Sequence, residues 1–75
     1  MKTLMFVVML KAGIVSAIIG QVASGTDVPI TEIECIYWVH SQLLHRTGKI
    51  PIPGPYEEVV CVKAKTAPGV GLPPP

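Results

Sequence analysis

The run LMFVVMLKAGIVSAII, residues 4–19, carries eleven large apolar side chains and a single charge, Lys11. Two kinds of segment have this look, and each removes the run from any soluble core. An export signal needs a positive start, an apolar stretch of roughly 7–15 residues and small residues before the cut. Lys2, the apolar run, and Val22 and Ser24 at the −3 and −1 positions of a cut between Ser24 and Gly25 meet those needs. Lys11 then either closes the positive region, leaving AGIVSAII as a short apolar stretch, or interrupts a longer one.

A membrane helix over about residues 3–23 has the required length of roughly 20 residues. Its energetics are poor. The apolar residues contribute roughly 3–6 kcal/mol to insertion, and a lysine near the helix centre costs about 2.5–3.5 kcal/mol of that. Residues 1–24 are therefore expected to be a cleaved signal helix, with a retained anchor over 3–23 as the alternative. Both place the remainder on the far side of a membrane, because Lys2 and Lys11 lie before the run and Asp27, Glu32 and Glu34 after it. The expected location is secreted or extracellular, the alternative single-pass with a lumenal or extracellular C-terminus.

With the first 24 residues gone, 51 remain, a length that rarely keeps a fold without a covalent or metal staple. In an oxidising compartment the two cysteines, Cys35 and Cys61, supply one as an intramolecular disulfide. Free thiols and an intermolecular bridge are the competing states. Metal binding is disfavoured, since the cysteines are far apart and His40 and His45 are five residues apart instead of four.

Between them lies the clearest local signal. Thr31 followed by Glu34 forms a capping box, and His45 and Arg46 suit the negative end of a helix dipole before Gly48, so a helix is expected over about 32–46. Ile33, Ile36, Tyr37, His40, Leu43 and Leu44 follow helical spacing and read as its core-facing stripe. Trp38, three residues from Cys35, reads as a shield over the disulfide or an aromatic anchor for a partner. KIPIPGPY reads as an extended connector, YEEVVCVKAK as one valine-rich extended segment, and TAPGVGLPPP as a disordered tail. The expected fold is small and mostly α: a signal helix, then a helix and an extended segment joined by one disulfide over 25–66, then a disordered tail over 67–75.

Function is bounded mainly by exclusion. Residues 25–75 hold four Lys or Arg against five Asp or Glu, which gives no basic face for nucleic acid. Glycosylation at Asn is excluded because the chain has none. Neither a phosphate loop nor a nucleophile with a base and an orienting group is present, so no enzyme and no cofactor are expected. The expectation is a small secreted binding or signalling peptide that presents its helix to a receptor or other protein, through Tyr37, Trp38, His45 and Arg46. The alternative is a small single-pass protein associated with a larger membrane complex.

Overall fold

The structure, a computed structural model, describes residues 3–22 and 30–75. In it the apolar run is neither a signal helix nor a membrane helix: it is a β-hairpin. Strand β1 spans Leu4–Lys11 and strand β2 spans Ile14–Gln21, paired antiparallel. Helix α1 follows at Glu32–Leu44, and strand β3 at Glu57–Ala64 pairs antiparallel with the other edge of β1. Three strands of eight residues outweigh one helix of 13, which corrects the mostly-α expectation.

The reason lies in β1. Six consecutive residues, Met5 to Leu10, are buried, which a strand achieves only when both of its faces and both of its edges are covered. A continuous apolar run of this length is the signature of a central strand as much as of a helix. The β-branched valines and isoleucines of the hairpin favour the extended form.

The reversal between β1 and β2 takes two residues, Ala12 and Gly13, with φ of 51° and 78°. That pair of left-handed conformations is what a two-residue I′ hairpin turn requires. Lys11 ends β1 beside this turn with its side chain exposed, so no ammonium has to be buried. A Cβ at position 13 would meet no atom within 4 Å, so a substitution there acts through the backbone alone. Gly13→Val is expected to lower stability by about 1–2 kcal/mol, read as a lower urea midpoint with an unchanged slope.

Register shifts between Val7 and Val8 and between Met9 and Leu10 leave two extra residues on β2. Bulges of this kind bend a strand and increase its twist. At the second of them the Ser16 hydroxyl donates to the Met9 carbonyl at 3.2 Å.

The sheet order is β2-β1-β3, so the first strand in sequence is the middle one in space. β2 and β3 both run against β1 and therefore run parallel to each other. Parallel strands need a long crossover, and here it carries α1 across one face. Met5, Val7 and Val22 from the hairpin meet Cys35 and Val39 from α1 and Ile50 beyond it. The Cys35–Cys61 disulfide forms within this layer, its Cα atoms 6.2 Å apart, and ties α1 to β3.

The opposite face gathers Phe6, Val8, Leu10, Val15 and Val62. Among the described residues no helix lies over it. The C-terminal segment instead returns to the edge of β2: the Val15 N–H donates to the Leu72 carbonyl at 2.9 Å, and the Gly71 N–H donates to the Val15 carbonyl at 2.8 Å. Pro68 is buried along this return. The tail expected to be disordered is thus part of the fold. Its prolines suit the role, since an extended segment with fixed φ loses little entropy on docking.

Candidate functional site

Helix α1 starts as its sequence demands and ends earlier. The Glu34 N–H donates to the Thr31 hydroxyl at 3.2 Å, so Thr31 caps the N-terminus. At the other end the Arg46 N–H donates to the Leu43 carbonyl and the Thr47 N–H to the Gln42 carbonyl, with Arg46 at φ 50°. This is a Schellman stop in which arginine holds the left-handed position that glycine normally takes. The stop therefore precedes Gly48, and His45 is the C-cap.

The phase of the helix departs from the expected stripe. Cys35 and Val39 are its buried residues, with Trp38 and Leu43 packed beside them. Of the residues read as core-facing, Leu43 does pack inward, but the others point the other way: Ile33 is 67% exposed, Ile36 43%, Tyr37 72% and Leu44 78%. His40, on the same stripe, is exposed too, which corrects its reading as a core histidine. The disulfide decides the phase. Cys35 must face the sheet to reach Cys61, and residues three, four, seven and eight further on turn inward with it.

Comparison with family models, curated proteins and solved structures finds no match to this chain.

Of the four residues expected to contact a partner, Tyr37 lies on the exposed stripe. Trp38, one position on, is half-buried and packs against the cluster that contains both cysteines. His45 and Arg46 are exposed at the C-terminal end of the helix. The four do not form one patch, because Tyr37 and Trp38 project about 100° apart on the helix. What the sequence reading placed in the core, Ile33, Ile36, His40 and Leu44, makes up the rest of the exposed stripe. The missed signal was Cys35: a disulfide across to an extended segment fixes which side of the helix is inside.

Charges frame this stripe asymmetrically. Glu32 and Glu34 stand exposed at its N-terminal end, and His45 and Arg46 at its C-terminal end. The N-terminal carboxylates also suit the positive end of the helix dipole.

A groove of about 330 Å³ lies between Trp38, the end of β2 and Lys49. Val22 and Ile30, which border residues 23–29, form two of its walls. Glu57 accepts from the Gly54 N–H at 2.7 Å and closes the turn before β3. Among the described residues, no three His, Cys, Asp or Glu side chains come together. The signal expected over 1–24 overlaps the hairpin, and its cut between Ser24 and Gly25 lies outside the described residues. Among the described residues no helix is long and apolar enough to cross a membrane. The disulfide points to an oxidising compartment.

Proposed function

We propose that the protein is a small, non-catalytic binding module that acts in an oxidising, extracellular setting by presenting the outer face of α1 to a protein partner. The observation that carries this reading is the stripe Ile33, Ile36, Tyr37, Leu44: four large apolar side chains left in water on a helix whose inner side is anchored by a disulfide. Contiguous exposed apolar surface of this kind marks interaction sites on small soluble proteins. A rigid mount favours the contact, since a preordered helix loses less entropy on binding than a flexible one.

The face also defines what it fits. An apolar groove, acidic where it meets Arg46 and basic where it meets Glu32 and Glu34, complements it in shape and charge. In this setting the hairpin stays with the protein, because β1 is the middle of the sheet that carries α1.

A photo-reactive phenylalanine analogue at position 37 tests the reading in the extracellular medium of producing cells. A discrete adduct is expected that disappears under excess unlabelled protein and persists under excess Ile33→Glu/Leu44→Glu protein. The reading fails if no adduct forms, or if the same adduct forms from a probe at the exposed Thr66.

A further inference from the structure

We infer that residues 66–75 are a removable strap: one endopeptidase cut after Lys65 releases TAPGVGLPPP and uncovers the sheet face opposite α1, while the rest of the fold stays. That face lies across the sheet from the helix stripe and is independent of it.

The route of the strap follows from its two ends. Ala64 closes β3 beside Leu4, and Gly71 and Leu72 are bonded to Val15, which pairs with Leu10 and carries them on the far edge of β2. These ends lie about three strand spacings apart across the sheet and about six residues apart along it, roughly 20–25 Å in a twisted sheet. The seven Cα steps from Ala64 to Gly71 reach about 25 Å at most. With no slack to pass around α1, the segment crosses the other face directly, where Phe6, Val8, Leu10, Val15 and Val62 are buried.

Little holds it there. Between Lys65 and Val70 no N–H donates to a backbone carbonyl of a described residue. Pro68 is the one buried side chain of residues 65–75, and Val70 and Leu72 are 62% and 59% exposed. The anchor is therefore Pro68 and the two hydrogen bonds at Val15. A segment with so few contacts opens by itself, at far less cost than global unfolding.

Lys65 stands where β3 gives way to this segment, exposed together with Thr66 and Ala67. Exposed, loosely held backbone of this kind is where endopeptidases cut folded proteins. The other basic residues of the described chain are each followed by a residue that is held in place. Ala12 after Lys11 donates to the Tyr56 carbonyl, and Thr47 after Arg46 donates to the Gln42 carbonyl. Ile50 after Lys49 is buried, and Ala64 after Lys63 pairs with Leu4. An enzyme selecting basic residues is thus directed to the Lys65–Thr66 bond. Hydrolysis adds one water across that amide, leaving a carboxylate on Lys65 and an amine on Thr66. The freed peptide has lost its covalent tether and dissociates. What remains keeps α1, the disulfide and the three strands, and gains an apolar face beside an open β2 edge at Val15, the marks of an interaction surface.

Limited trypsin digestion of the full, oxidised chain, read by intact mass, tests this. Among the bonds after Lys11, Arg46, Lys49, Lys63 and Lys65, the last is expected to be cut first, about tenfold or more ahead of the others, since cleavage follows the population of the open form. A cut after Lys2 shifts every product alike and leaves that order intact. Lys65→Gln should abolish the early product. The purified product ending at Lys65 should bind ANS, a dye that fluoresces on apolar surface, more strongly than the uncut chain. It should keep slow amides in Glu32–Leu44 and lose protection at the Val15 N–H.

An earlier cut after Lys11, Arg46, Lys49 or Lys63 overturns the assignment of the site. A released peptide that stays bound through gel filtration, or a product with no added ANS binding, overturns the uncovering. Freely exchanging amides in Glu32–Leu44 of the cut product would make the tail an integral part of the fold and end its reading as a strap.

Discussion

A protein shortened to begin at Gly25 is expected not to fold. It would lack β1 and β2, and with them Met5, Val7 and Val22, against which Cys35 and Val39 of α1 are packed. Each fully buried side chain of this size contributes about 1.5–3 kcal/mol, so losing three from one layer removes an amount comparable to the whole stability of a domain this small. β3 would also lose the strand it pairs with, β1. The disulfide cannot compensate, because it constrains a loop without supplying apolar surface. Far-UV circular dichroism of the oxidised 25–75 fragment should show mainly unordered chain, and amides of Glu32–Leu44 should exchange freely. The full chain should show protection in the same residues. A cooperative melt and slow amides in the fragment would instead make the helix and its bridge an autonomous unit, with the hairpin dispensable.

Reduction of Cys35–Cys61 is expected to produce the second largest loss. The cysteines are 26 residues apart, and closing a loop of that length stabilises a fold by about 3.5 kcal/mol in the chain-entropy model. Urea unfolding with and without a reductant should separate by about 3 M in midpoint, taking a slope near 1 kcal/mol/M for a domain of this size. The double variant Cys35→Ala/Cys61→Ala should resemble the reduced protein and be insensitive to reductant. Equal midpoints for the oxidised and reduced wild type would show that α1 is held to the sheet by packing alone.

Local signals in this sequence were legible and the long-range ones were not. Thr31 and Glu34 announce the start of α1 through a contact three residues long, and the structure reproduces it. The disulfide followed from there being two cysteines and an oxidising setting. The hairpin was hidden for a different reason. Leu4–Leu10 is apolar at every position, so neither a period of 2 nor one of 3.6 stands out, and the choice between strand and helix passes to the turn. That turn is Ala12–Gly13, and alanine is an unusual occupant of its first left-handed position, where asparagine or aspartate would have signalled a reversal.

The same ambiguity inverted the helix. α1 is apolar on two sides, and hydrophobic spacing picks out the side with more large residues, Ile33 to Leu44. Only the bridge to β3 shows that the sparser side, Cys35 and Val39, faces inward. The site was therefore visible as a stripe and misassigned as core. The tail was missed because its anchor is two backbone hydrogen bonds to Val15, which no side-chain pattern in TAPGVGLPPP encodes.

The placement of the first strand in the middle of the sheet has a further consequence during synthesis. Residues 4–11 are synthesised well before their partners: one of their flanks is sealed by Glu57–Ala64, and the region around Val15 by Gly71 and Leu72. At elongation rates of about 5–20 residues per second, some seconds pass in which the future interior is bare. For that interval the nascent chain displays to targeting factors and chaperones a greasy stretch that resembles an address, and it becomes a keystone only when residues 57–72 arrive.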